Sequence, residues 1–264
     1  MRILFIGDIF GSTGRRILAE NLREILEEHG VDVCIANGEN AAGGRGITVN
    51  IVKKLHKYGV HIITGGNHSM VHSEVYDDTS HVKHLLRPLN LPNGSKGIGK
   101  LLYELPENKY LGIINLMGRT FCDESIPCPF KTGMDAVKEM RKVTPFILID
   151  FHAEATSEKI CLAHYFDGMA SAVLGTHTHV QTADERILPK GTGFISDVGM
   201  TGPEESAIGM KLKPILQRYL YQSRIRFEPA SKGPMFNAVM LDIDNETGKS
   251  LHISRIFKRI SFTS

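Results

Sequence analysis

Apolar runs and helical periods take turns along the first quarter of the chain. Arg2–Gly7 is a continuous apolar run and predicts a strand. Gly11 and Gly14 mark a turn, and Arg15–His29 repeats apolar residues (Ile17, Leu18, Leu22, Ile25, Leu26) at helical spacing before Gly30. Val31–Ala36 predicts a second strand, apolar without alternation, as in strands covered on both faces. After the glycine-rich stretch Asn37–Gly46, Thr48 predicts an N-cap, Val49–Tyr58 a helix and Gly59 its stop. Val60–Thr64 is the third strand, so the opening reads β-α-β-α-β, the signature of an α/β sheet.

The pattern weakens from His72 to Gly99, where Pro88, Pro92 and Gly94 mark loop. Leu101–Leu105 and Tyr110–Asn115 predict a hairpin turned at Glu107-Asn108. A polar loop (Gly118–Thr132), a helix (Gly133–Val143), a buried strand (Pro145–Phe151) and a helix (Ala155–Tyr165) follow. Ser171–Leu174 is then a strand leading into Gly175-Thr176-His177-Thr178-His179. Beyond it, Arg186–Leu188, Gly193–Ser196, Arg226–Glu228, Asn237–Ile243 and Ser250–Phe257 alternate as antiparallel strands do, with a short helix at Lys213–Tyr221. The expected fold is α/β, a sandwich of two mixed β-sheets flanked by helices, with residues 1–264 as a single domain. A split near Asp184 is the alternative.

Composition narrows the class. An apolar fraction of 42% and a charged fraction of 23% are those of an ordinary globular protein. A formal charge of +2 gives no electrostatic case for nucleic acid or membrane, and no apolar run reaches the roughly 18 residues of a membrane span. The start reaches Asp8 too soon for a signal peptide and reads as a first strand. Cys34, Cys122, Cys128 and Cys161 form no C-x-x-C, so reduced thiols and a cytoplasmic location are expected. Cys122 and Cys128 share a loop and are a minor candidate for a soft metal site.

The candidate chemistry lies where the apolar runs end. The first strand delivers Asp8, the second Asn37-Gly38-Glu39-Asn40, the third Asn67-His68, a later one His152, and the last His177 and His179. Sites in open α/β sheets form at the carboxyl ends of strands. His177 and His179, two residues apart on extended chain, are expected to point to the same side, holding one metal or one ligand for each of two. Singly, each residue has a plainer reading: Asp8 as a helix cap, Asn67 as a turn residue, His152 as a satisfied core histidine, the H-x-H as solvated loop. Together they form a sulfur-free O/N donor set that suits iron, manganese or zinc. The set is too large for one ion and matches two ions about 3.5–4 Å apart sharing a carboxylate and a water. Such a pair activates the water for in-line attack on phosphorus.

Gly7-Asp8, Asn37-Gly38-Glu39-Asn40, Gly66-Asn67-His68, His152 and Gly175–His179 resemble the calcineurin-like metallophosphoesterases. Together with Asp150–Ser157, Thr176–Ala183 and Asp197–Pro203 they resemble more narrowly the YmdB-like bacterial phosphodiesterases, nearly end to end. The resemblance implies a four-layer αββα sandwich. It implies that Asp8, Asn40 and His179 hold one metal, Asn67, His152 and His177 the other, and that Glu39 bridges them. It implies His68 as the general acid that protonates the leaving ribose oxygen. It implies a di-iron or manganese enzyme, with zinc less favoured, that hydrolyses 2′,3′-cyclic nucleotides, with 3′,5′-cyclic ones as a further class, and that assembles as a homo-oligomer. Phe10 stands where the wider superfamily has a histidine, and Glu39 where it has an aspartate; both belong to the narrower pattern. Ser69-Met70-Val71 lacks the aromatic residue related chains carry there, which bears on the pocket wall.

His68 has a case of its own, because it follows a proposed ligand and an imidazole can donate a proton near neutrality. Asp150, two residues before His152, would orient that ring or serve as a buried structural carboxylate. His72, His81 and His84 read as surface residues, and Arg119 as a surface arginine within reach of a phosphate. Two other functions fit the same residues: a phosphomonoesterase or protein phosphatase, and a regulatory binding protein with structural metals. Contact with RNA is left open.

Overall fold

The computed structural model describes residues 1–77, 82–222 and 224–262; His81 lies outside them. β1 (Arg2–Ile6) leads through Gly7 into the two-residue β2 (Asp8–Ile9). α1 (Gly11–His29) buries Ile17, Leu18, Leu22 and Ile25 along one stripe, as its period requires. It stops where Gly30 turns left-handed, with φ 59°. β3 (Val33–Asn37), α2 (Val49–Tyr58) and β4 (Ile62–Thr64) complete the expected β-α-β-α-β opening. Thr48 makes no side-chain cap hydrogen bond to α2.

The hairpin β5 (Lys100–Leu105) and β6 (Lys109–Met117) turns at Glu107 and Asn108, both at positive φ. α3 (Pro129–Met140) starts four residues ahead of the expected Gly133, with the proline in its first turn, where its missing N–H has no helical partner to lose. β7 (Ile147–His152), α4 (Thr156–Tyr165), β8 (Ala172–Thr176), β9 (Arg186–Ile187) and β10 (Gly193–Ile195) follow. β11 (Met200–Pro203), α5 (Leu212–Tyr221), β12 (Pro234–Ile243) and β13 (Ser250–Arg259) complete the chain.

Four expectations change. α1 begins at Gly11 and runs through Gly14, the two glycines read as a turn. Arg226–Glu228 forms no strand. β11 was not evident in a stretch with two glycines and a proline; it owes its place to pairing with β2 and β12. The weakly patterned region opens with a 3₁₀ helix at Ser69–Tyr76.

Two mixed sheets result. The first runs β2-β11-β12-β1-β3-β4, with β13 beside β12. The second runs β5-β6-β7-β8-β10-β9. In the first, β1 is parallel to β3 and antiparallel to β12, with Ile6 level with Ala238. In the second, β6, β7, β8 and β10 are parallel, with antiparallel strands at the edges.

Strand alternation sets the layers. Leu4 and Ile6 pack with α1 and α2 residues such as Leu22 and Leu55. Ile3 and Phe5 face the other way, onto Leu111, Ile113, Leu148 and Leu174 of the second sheet. That sheet's outer face packs Ile114, Ile149 and Val173 against Val137 and Leu162 of α3 and α4. The architecture is a four-layer αββα sandwich. The carboxyl ends of β1, β3, β4, β7 and β8 then carry Asp8, Glu39, Asn67, His152 and His177 to one region.

Candidate metal centre

All eight residues singled out in the sequence meet. Asp8 emerges from β1 fully buried; its Oδ2 accepts from the His177 amide at 3.2 Å. Its Oδ1 has no hydrogen-bond partner and lies 3.9 Å from His152 Nδ1 and 3.8 Å from His179 Nε2. Glu39, past the end of β3, accepts from the His68 amide at Oε2 (3.0 Å). Its Oε1 lies 3.2 Å from His152 Nε2 and 3.3 Å from His68 Nδ1. Asn40 Oδ1 faces His179 Nε2 at 3.1 Å, and its Nδ2 donates to the Gly44 carbonyl. Asn67 Oδ1 faces His152 Nε2 at 2.9 Å, and His177 Nδ1 faces the same nitrogen at 3.0 Å.

The H-x-H reaches this site by a different route from the one expected. The strand ends at Thr176, and His177 (φ 103°) and His179 (φ 67°) sit in left-handed backbone. That conformation costs a non-glycine residue of order 1–3 kcal/mol and persists only where surrounding contacts impose it. The two rings therefore diverge: His177 turns to His152, His179 to Asn40. The turn is braced from behind by Asp197, which accepts from the Thr178 amide (3.0 Å) and pairs with buried Lys159 (2.8 Å). Phe10, in the position of a superfamily histidine, packs edge-on against His179 with ring centroids 5.7 Å apart.

The His152 ring is set by a relay. Its Nδ1 meets Thr176 Oγ1 at 3.0 Å, and that hydroxyl donates to Asp150 Oδ1 at 2.8 Å. Asn37 Nδ2 donates to Asp150 Oδ2. Asp150 thus orients His152 through Thr176 rather than directly. Burial raises the Asp150 pKa to about 6 against the pull of His152 and the neighbouring hydroxyls. Thr176, Glu154 (3.1 Å from His177 Nε2), Lys159 and the bracing role of Asp197 were not foreseen from the sequence. A lysine on a helix gives no sign that it is buried.

Electrostatics ask for positive charge here. Burial raises the Asp8 pKa, opposed by His179 and His152. Burial alone would also raise Glu39, but His152 and His68 outweigh it and hold the carboxylate well below its usual range. Burial disfavours a charged His152, yet Glu39, Asp8 and Asp150 lift its pKa to about 9, so the ring supplies the charge Glu39 requires. Burial and then the charge of His152 push His177 down to about 3, leaving a neutral ring with a lone pair to offer.

The residues fit transition-metal cations. One ligand atom each from Glu39, His152 and His177 lie within 4.8 Å of one another, the only such His/Cys/Asp/Glu group among the described residues. The orphaned Asp8 Oδ1 is an unspent acceptor in a buried place. A Cβ at Gly66 would collide with Glu39 Oε2 and His152 Nε2, so the glycine keeps this cradle open. Cys122 and Cys128 are free thiols and belong to no such group.

The remaining expectations are local. Arg119 donates to the Glu124 carbonyl of its own loop (3.0 Å). His84 is half-buried against Tyr103 (ring centroids 5.1 Å), which corrects its reading as a surface residue, and His72 pairs with Glu74. Ser69 Oγ accepts from the Gly66 amide, Met70 packs on the core, and Val71 is exposed beside Gly46.

A sequence model of the family described as YmdB-like protein matches residues 4–256. The chain is 46% identical over 256 residues to the 2′,3′-cyclic-nucleotide 2′-phosphodiesterase of Bacillus subtilis, covering 97% of this chain and 96% of that one. It superposes on a hypothetical protein from Thermus thermophilus with a TM-score of 0.91, at 40% identity and 98% and 99% coverage. A crystal structure described as a novel phosphatase from Mycoplasma pneumoniae superposes with a TM-score of 0.92, at 33% identity and 98% and 93% coverage.

Proposed function

The chain belongs to the YmdB-like family, and from that premise we propose that it is a metal-dependent phosphodiesterase acting on 2′,3′-cyclic nucleotides. One observation carries the reading: donors from separate strand ends converge around the buried, unpartnered Asp8 Oδ1. Asp8, Asn40 and His179 would hold one cation, Asn67, His152 and His177 a second, with Glu39 between them, placed as it is beside both His68 and His152. Iron or manganese suits this oxygen and nitrogen set, with zinc a third choice. Bound cations supply Lewis acidity, lowering the pKa of a water and neutralising phosphoryl charge.

The protein's own groups do the rest. His68 is the general acid. Its Nδ1 is engaged by Glu39 Oε1 and its ring is partly exposed, so Nε2 is the nitrogen to carry the proton; the Asn67 Nδ2 group, 3.4 Å away, donates to Nε2 once that proton has left. Water attacks phosphorus and releases one proton to solvent, the bond to the ribose 2′-oxygen breaks, the Nε2 proton passes to that oxygen to leave a 3′-phosphomonoester, and the His68 ring takes a proton back from solvent. Asp150 and Thr176 keep the His152 Nδ1 engaged and turn Nε2 to the centre, where a bound cation would replace the proton the ring holds against Glu39.

The test is metal analysis of anaerobically purified protein, then a panel of 2′,3′- and 3′,5′-cyclic nucleotides and phosphomonoesters. Near-stoichiometric transition metal and chelator-sensitive 2′,3′-cyclic activity are expected. An active preparation without transition metal would overturn the reading. Faster turnover of phosphomonoesters would favour the phosphatase reading, which the Mycoplasma pneumoniae neighbour keeps open. A homo-oligomer is part of this reading and is tested by sedimentation.

A further inference from the structure

A cavity opens at His179, the one proposed metal ligand that lines it. It is lined by His179, Val180, Met235, Asn237, Arg255 and Phe257, among others. We propose that this cavity is the subsite for the nucleobase of the substrate, with Phe257 as its stacking surface; the proposal rests on the phosphodiesterase reading and deepens it.

Strand register builds the cavity. Met235 and Asn237 alternate to one face of β12, Arg255 and Phe257 to one face of β13, and Asn237 pairs across to Phe257. The same face carries Val239 and Ile253 farther along, which lie in the core between the two sheets. The cavity is thus the place where the inter-sheet core runs out and the face meets the Thr178–Gln181 turn. The Gly7 amide donates to the Asn237 carbonyl at 3.0 Å, which puts the cavity level with the strand end that delivers Asp8. A group attached to a phosphate at the metal centre has this recess beside it.

The lining selects a flat, uncharged ligand. Phe257 is 47% exposed and Val180 62% exposed, an apolar pair at a polar site. The Arg259 guanidinium lies 5.2 Å from the Phe257 centroid and is itself held by Glu204, which fixes the ring. Arg255 is already paired with Glu185 at 2.8 Å, so the cavity offers little net charge to a second phosphate. Asn237 is 2% exposed, and its Oδ1 has no hydrogen-bond partner while its Nδ2 donates to the Met200 carbonyl. An aromatic base stacked on Phe257 matches the apolar wall, while Asn237, buried beneath it, shapes the floor of the recess.

The experiment compares wild type with Phe257→Ala and Phe257→Tyr on 2′,3′-cyclic AMP and on the methyl riboside 2′,3′-cyclic phosphate, which has no base. Phe257→Ala should raise KM for the nucleotide about tenfold with kcat within about threefold, the size of effect lost with one base–aromatic stack. Phe257→Tyr should restore it, and the base-free substrate should not distinguish the three proteins. Calorimetric binding of 3′-AMP, which needs no turnover, should weaken about tenfold in the alanine variant alone. Unchanged KM and unchanged 3′-AMP affinity in Phe257→Ala would overturn the subsite while leaving the phosphodiesterase intact. So would a tenfold KM rise from Phe121→Ala instead, since Phe121 is an 85% exposed aromatic on the loop after β6. A wild type that turns over no cyclic nucleotide would remove the functional reading and the subsite with it.

Discussion

Glu39 touches both His68 and His152 from a position 2% exposed to solvent, so its charge is held where a cation would meet it. Glu39→Gln keeps size and shape but removes that charge. Loss of bound metal and a fall in phosphodiesterase activity of about a hundredfold or more are expected, with an unchanged circular dichroism spectrum. Retained metal and activity would show that the carboxylate is structural. Thr176 is the more delicate case, because it reaches the centre only through His152 Nδ1. Thr176→Val should cost about 10–100-fold in metal affinity, measured by competition with a chelating dye, and Thr176→Ser should recover it. The convergence of the eight candidate residues was legible because each ends an apolar run or stands a few residues past one. Thr176 and Glu154 were not, since a hydroxyl between two histidines and an acid after one have no period and no spacing rule.

At the level of elements, strands and helices with clear periods were readable, and those defined by partners were not. α2 appears where its stripe and glycine stop put it, and α1 ends at its glycine stop but begins at Gly11, four residues ahead of the expected Arg15. β11 is visible only once β2 and β12 are beside it. α4 hides the more instructive case. Its Lys159 is 2% exposed and pairs with Asp197, which in turn holds the Thr178 amide and so the left-handed turn between the two histidines. Lys159→Met strands a buried carboxylate. A loss of about 3–5 kcal/mol in chemical denaturation is expected, with part of it returned by adding Asp197→Asn. A loss under 1 kcal/mol would mean the pair does not brace the turn.

For the molecule as a whole, two sheets were legible because the first strands are apolar on both faces, so that Ile3 and Phe5 need one apolar partner layer and Leu4 and Ile6 another; the order of the four layers came from the family resemblance. Cations bound only by the folded form should add stability, so excess chelator should lower the melting temperature by about 5–10 °C. No shift would argue against bound metal. Asp184 ties the β9 region to β10: hydrogen bonds from Ser196 and Thr182 overcome its burial and lower its pKa. A carboxylate lowered on folding stabilises the protein above its unfolded pKa of about 3.9 and loses that contribution as pH falls through the folded value. Asp184→Asn should therefore cost about 1 kcal/mol at pH 7, and the gap to wild type should close at the acid end of a stability profile. A gap that stays constant with pH would assign the effect to shape rather than charge.

Consider finally β1, which lies between β3 and β12, with its register running from Arg2 opposite Asp242 to Ile6 opposite Ala238. β1 leaves the ribosome long before its partner β12 does. Throughout synthesis one flank of β1 stays unzipped, an open edge apt to stick to other nascent chains. Chains cut before Pro234 should accordingly be recovered as aggregates or bound to chaperones, whereas release of the full length should let the seam close.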